Sequence, residues 1–240
     1  MQEVLKLIQE RKSARGPFDP ERQVTKEDLN QILSAGRWAP TAHNMQNFEI
    51  IVVDDKKLLE AIGKIKSSIS DTFIRENYQQ LSFSEEELLE KKVGLLAAMF
   101  PPAWRTPEAK PDKAANDETV SRFGKVIQTS PALLIVVYDP RKRAPASEGD
   151  FLGIISLGCL MENMWLMASS LGVGCHVMSV LSADPVEKEV KKILNIPKHL
   201  KIAFTFRLGY PISTTGKYLR VRREVEDFTH HNRFGSKGLD

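Results

Sequence analysis

From Phe151 to Cys175 the chain is almost continuously apolar, interrupted by Glu162, Asn163 and several small residues. The spacing predicts one long helix from about Phe151 to Leu171, stopped at Gly172 and Gly174. Apolar side chains cover nearly its whole circumference, so it needs cover on more than one side. The interruptions favour a buried helix over a membrane span. In a chain of 240 residues a second copy is a natural cover for the face left over, which points to a homodimer.

The rest of the chain supplies elements to pack against that helix. Phe48 to Val53 and Ala132 to Tyr138 are rich in β-branched and other apolar residues and read as strands, as does Cys175 to Ser179. Leu200, Ile202, Phe204, Phe206 and Leu208 alternate with Lys201, Ala203, Thr205 and Arg207, the clearest period-two strand in the sequence. Val4, Leu5 and Ile8 recur at helical spacing, and Thr25 with Asp28 forms a capping-box pattern ahead of Leu29, Ile32 and Leu33. Leu58, Leu59, Ile62 and Ile65 mark a further helix, Ser84 with Glu87 another capping box, and Asp184 with Pro185 the N-cap and first position of a helix ending near Leu194. Pro101, Pro102, Pro107 and Pro111 break regular structure over about 100–118. The expected organisation is a single domain over 1–240 with a helical and loop excursion at about 64–118.

Several function classes drop out. Cys159 and Cys175 are the only cysteines and form no C-x-x-C pair, so a disulfide scaffold and a structural zinc are not expected. His230-His231 stands on an irregular tail with no accompanying carboxylate pattern, so no metal site is expected. The net charge of +3 comes from 34 Lys and Arg interspersed with 31 Asp and Glu, which does not support a nucleic-acid partner. Residues 1–10 lack the basic-then-apolar pattern of a signal peptide, and the expectation is a cytoplasmic protein with no membrane attachment. Gly153 to Gly158 is one residue too long for a nucleophile elbow, and Gly172-Val173-Gly174 is not a dinucleotide fingerprint.

Two segments carry candidate chemistry. Arg11-Lys12-Ser13-Ala14-Arg15 sets three cations and a hydroxyl where the first helix gives way to Gly16-Pro17. The set suits a phosphate, and it equally suits solvated cations complementing a helix C-terminus. Pro40-Thr41-Ala42-His43-Asn44-Met45-Gln46 is a polar turn running into a strand. In an extended segment Asn44 and Gln46 would point the same way and read a heterocycle edge, or the turn is simply capped by its own side chains. His176 falls on a buried strand, where a satisfied core histidine is the plainer reading.

The R-K-S-x-R cluster, then A-P-T-x-x-N-x-Q before a strand, then Leu171 to Gly174 leading into Cys175 to Ser179, then Leu208-Gly209-Tyr210-Pro211 and a basic tail, resembles the FMN-dependent nitroreductase family in order and spacing. The resemblance spans about 1–57 and 120–235. It departs at Asn47-Phe48, where the family has Pro-Trp, and offers no motif to align over about 64–118. It implies an α+β fold, a mainly antiparallel central sheet wrapped by helices, in an intertwined homodimer. By the same resemblance Arg11, Lys12 and Ser13, with Arg220 and Arg222, would bind the FMN phosphate and ribityl chain. Arg15 would lie near the flavin edge that gains negative charge on reduction, and Val177, Met178 and Ser179 would run along the flavin. Pro40, Thr41, Ala42, Asn44 and Gln46 would reach the cofactor of the partner subunit. The implied reaction passes electrons from NAD(P)H through FMN to a small-molecule acceptor such as a nitroaromatic or quinone, in two steps and without a protein acid or base. Dehalogenation, flavin reduction or flavin fragmentation on the same fold, or a non-enzymatic helical binding module with a basic tail, are the competing readings. Phe100 and Trp104 are candidate lid aromatics.

Overall fold

The structure, a computed structural model, describes residues 2–67, 76, 82–99, 123–212 and 219–238. Its contacts divide the chain into two compact units, 1–67 with 122–215 and 68–121 with 216–240.

The first unit opens with α1 (Gln2–Glu10) and α2 (Lys26–Arg37), followed by β1 (Glu49–Val53) and α3 (Lys56–Gly63). The second unit holds β2 (Ser82–Phe83), α4 (Glu85–Lys91) and β3 (Leu95–Leu96), with β2 and β3 paired in parallel. The first unit resumes with β4 (Ala132–Tyr138), α5 (Phe151–Ser170), β5 (Gly174–Met178), α6 (Val186–Ile193) and β6 (Lys201–Gly209). Its four strands form one antiparallel sheet in the order β1-β4-β6-β5. This is the α+β arrangement the sequence implies.

The sheet is buried on both faces. Leu134, Val136, Phe204, Phe206 and Leu208 pack against Ile32 of α2 and Leu157, Leu160 and Met164 of α5. On the other face Leu133, Ile135, Val137 and Ile202 meet Leu59 and Ile62 of α3 and Val186 and Val190 of α6. A Cβ on Gly36 would come within 2.9 Å of Met164, so glycine allows α2 to approach α5.

The even alternation of the last strand hides a break. The register shifts between Val136 and Val137, which pair with Phe204 and Ile202 and leave Ala203 as the extra residue of a β-bulge. Ile202 and Phe204 are two apart yet serve opposite cores. Two of the polar positions do not face water either: Thr205 and Arg207 are buried, while Lys201 is exposed.

Helix ends follow local chemistry with two corrections. Gly172 at φ +69 closes α5 in a Schellman motif, with Gly172 N–H donating to Ser169 O and Val173 N–H to Ala168 O. Ser84 and Glu87 form a complete capping box. Thr25 Oγ1 accepts from Asp28 N–H, but the expected box does not close, because the Asp28 carboxylate accepts from the Tyr210 hydroxyl at 2.5 Å. Asp184 is not an N-cap: α6 begins at Val186 with Pro185 in the cap position, the Asp184–Pro185 peptide is cis, and the Asp184 carboxylate pairs with Lys188 at 3.0 Å.

Among the described residues α5 is long and apolar enough to cross a membrane by length and composition. One stripe, Leu157, Leu160, Met164 and Ala168, is buried in the core, while Phe151, Ile154 and Ile155 are 66%, 60% and 46% exposed. In the second unit, Lys92 pairs with Glu224 at 3.1 Å, next to the short α7 (Val225–Phe228) of the tail.

Candidate functional site

Beyond α1 the chain becomes a strap laid along the outer edge of β5. Ser13 forms a parallel bridge with Cys175, and Ala14 N–H donates to Cys175 O at 2.8 Å. The basic cluster is thereby fixed against the strand that leads into Val177, Met178 and Ser179, so these two sets of expected site residues come together. Lys12 and Arg15 are exposed, Ser13 half-buried. Arg11 is drawn inward: its Nε stands 3.1 Å from Glu162 Oε1 and its guanidinium 4.4 Å from the Trp165 ring centroid. The Nε–H is not aimed at the carboxylate, so the contact is an ion pair without a hydrogen bond.

Behind the strap lies a second polar layer that sequence reasoning missed. Arg207 is 2% exposed, donates from Nη2 to Gly16 O and stacks 3.9 Å from the Phe18 ring centroid. Its Nε has no partner, and burial brings its pKa down to about 10. His176 pairs with Arg207 across β5 and β6, and its buried Nδ1 is also without a partner. Burial, aided by the charges of Arg207 and Arg15, pushes the His176 pKa down to about 4, so the ring is neutral near pH 7. The expectation of a satisfied core histidine is therefore corrected. Thr205 Oγ1 is buried and unpartnered as well. Burial pushes the Cys175 thiol up, which makes it a poor nucleophile.

The other expected segment is a turn that docks elsewhere on α5. Ala42 N–H donates to Ser156 Oγ at 3.0 Å. Asn44 and Gln46 do meet, with Gln46 Nε2 donating to Asn44 Oδ1 at 3.1 Å, but not by alternation in an extended segment. His43, Asn44 and Gln46 have φ of 51°, 52° and 45°, and the turn folds back on itself, with Gln46 N–H donating to Thr41 Oγ1. Left-handed backbone at non-glycine residues costs roughly 1 kcal/mol or more each and gathers at ligand clamps. Pro40, Thr41, Asn44 and Gln46 line an open cleft with Arg37 and Trp38, whose ring is 77% exposed. On α5 the turn docks at Ser156 whereas Arg11 pairs at Glu162, about 9 Å further along the axis at 1.5 Å per residue.

Where the family pattern has proline, Asn47 bolts the turn to the end of β4. Its Nδ2 donates to Asp139 O at 2.9 Å and Lys142 O at 3.1 Å, and its Oδ1 accepts from Asp139 N–H at 3.2 Å. Arg141 grips the Asp139 carboxylate through Nε and Nη2, both at 2.8 Å, and holds it well below the usual carboxylate range. Arg220 and Arg222 belong to the second unit, where Arg222 lines a cleft with Lys92, Arg223 and Phe228. Phe100 and Trp104 lie outside the described residues.

The donor set fits an anionic, hydrogen-bonding ligand: three cations and a hydroxyl on the strap, with unpartnered nitrogens of Arg207 and His176 behind them. The description of the nitroreductase family matches residues 8–210 of this chain. Over 234 residues the chain is 24% identical to a protein of Archaeoglobus fulgidus named NADH dehydrogenase/NAD(P)H nitroreductase, covering 98% of this chain and 100% of that one. It is 26% identical over 197 residues to iodotyrosine deiodinase of Thermotoga neapolitana, covering 81% and 82%. A nitroreductase of Bacteroides fragilis, solved with bound FMN, shares the fold at a TM-score of 0.57 and 21% identity, over 95% of this chain and 98% of that one.

Proposed function

Since this chain belongs to the nitroreductase family, we propose that it is an oxidoreductase that binds FMN and passes electrons from NAD(P)H to a nitroaromatic or quinone-type acceptor in two successive half-reactions. The observation that carries the reading is the strap: the Ser13–Cys175 bridge holds the basic cluster against β5, with orphaned nitrogens behind it. Bound FMN supplies the hydride and electron chemistry. Arg11, Lys12 and Ser13 hold its phosphate and ribityl chain, and Arg15 presents a fixed cation where negative charge develops. Backbone N–H groups at Val177, Met178 and Ser179 orient the ring. No side chain is assigned as acid or base.

The protein acts as a cytoplasmic homodimer in this reading. The exposed Phe151, Ile154 and Ile155 of α5 give a second copy an apolar surface to cover. Pro40, Thr41, Ala42, Asn44 and Gln46, docked at a different place on α5 from the strap, serve the partner's cofactor. A second reading, reductive dehalogenation at the same site, is favoured by the relative from Thermotoga neapolitana.

Purified protein incubated with FMN and desalted should be yellow, and anaerobic NADH or NADPH should bleach it. Re-oxidation by a quinone, a nitroaromatic or a halogenated phenol then separates the two readings. Protein that remains colourless with excess FMN would overturn both.

A further inference from the structure

We infer that Arg207 is the positioning residue of the strap, gripping the Gly16 carbonyl from within the sheet so that Ser13 and Arg15 are held in register with β5. The inference rests on the FMN reading for its functional consequence.

The strap is fastened at several points. Ala14 N–H is bonded to Cys175 O, Asp19 N–H donates to Tyr210 O at 2.8 Å, and Ile212 N–H donates to Pro17 O at 3.3 Å. Between these ties Phe18, 3% exposed, sits in a slot made by Gly174 and Gly209, which face each other across β5 and β6. A Cβ on Gly174 would come within 2.8 Å of the Phe18 ring, and one on Gly209 within 2.6 Å. Arg207 closes the slot, with its guanidinium over the ring and its Nη2 on Gly16 O. Gly16 directly follows Arg15, so the grip acts one residue from the cation assigned to the flavin.

Stability does not account for an arginine here. Among the described residues no carboxylate lies within ion-pair distance of the buried Arg207 guanidinium, and its Nε is unpartnered. Desolvating a charge without a counter-ion is costly, and an apolar side chain of similar size would be tolerated at least as well. What the guanidinium provides, and methionine would not, is a donor to Gly16 O.

Arg207→Met and Arg207→Lys separate positioning from packing, measured by apo-protein melting, amide hydrogen exchange and FMN titration. For Arg207→Met the expected result is a melting temperature equal to or above the parent. Exchange at Ala14 and Asp19 in the apo protein should be at least tenfold faster and the FMN Kd at least tenfold higher. Arg207→Lys, whose ammonium still donates to Gly16 O, should recover part of the affinity. Unchanged exchange and Kd in Arg207→Met would overturn the inference, and so would a lowered melting temperature or failure to fold, since either makes Arg207 a packing residue. If the parent itself binds no FMN, the functional reading falls, and exchange at Ala14 and Asp19 alone decides whether Arg207 holds the strap.

Discussion

Two polar knots fasten the first unit, one where β1 begins and β4 ends and one along the outer edge of β5, and they differ in how completely they are satisfied. In the first, Asn47 spends its amide on three backbone groups and Arg141 neutralises Asp139 through two charge-assisted bonds. In the second, Arg207 and Arg15 act on the neutral His176, while Arg11 lies against Glu162 and Trp165 of α5. Arg11 pairs with Glu162, and buried nitrogens of Arg11, Arg207 and His176 lack hydrogen-bond partners. A saturated knot has no capacity left for a ligand and serves the fold. An unsatisfied one with excess positive charge is where an anion gains most, because buried donors left unpaired each cost about 1–3 kcal/mol.

The comparison is sharpest in acid. His176 is depressed from 6.5 to about 4, so the unfolded chain binds the extra proton first as pH falls. Stability conferred by the neutral ring is fully present above pH 6.5 and is lost as pH falls toward 4, by about 3 kcal/mol at roughly 1.4 kcal/mol per unit. Urea unfolding at pH 7, 5.5 and 4 measures it, and His176→Phe should remove most of that dependence. The Asp139 carboxylate, held low by Arg141, keeps its contribution above the ordinary carboxylate range and loses it only in strong acid.

A second expected difference is in ligand binding. Arg11→Ala should weaken FMN binding by about 1.5–3 kcal/mol, the worth of one charge-assisted contact, while the melting temperature changes little. Asn47→Ala should do the reverse. It frees three backbone groups that water partly recovers, so the expected loss is about 1–2 kcal/mol of stability with FMN affinity unchanged. A matched shift of affinity in both variants, read by titration and melting together, would erase the distinction between the knots. The smallest effect is expected for Trp165→Phe. Its Nε1 makes no hydrogen bond and its ring meets Phe206 edge-on at 5.8 Å, so the cost should stay within about 0.5 kcal/mol if the ring's packing is kept.

The sequence made the strap legible because its chemistry is contiguous: Arg11, Lys12, Ser13 and Arg15 need no partner elsewhere to be noticed. Strand and helix positions were legible for the same local reason, down to the Gly172 stop of α5. What escaped was set by distant pairing. The Asp28 carboxylate turns to Tyr210, 182 residues away, and leaves its capping box open. The bulge at Ala203 is invisible in an alternation that continues unbroken through it. Arg207 and His176 read as one polar position on a strand and one core residue, because nothing local says that β5 and β6 set them side by side beneath the strap. The left-handed turn at His43, Asn44 and Gln46 was missed because the segment holds no glycine to announce it, although Asn and His enter that region more readily than other non-glycine residues.

The central claim is that the strap and β5 form an FMN site, and flavin fluorescence titration of the purified protein tests it most directly. The expected result is saturable quenching at one FMN per chain, weakened at least tenfold in Arg11→Ala and unchanged in Asn47→Ala. Absence of quenching at millimolar FMN, or equal binding by the parent and Arg11→Ala, would contradict it.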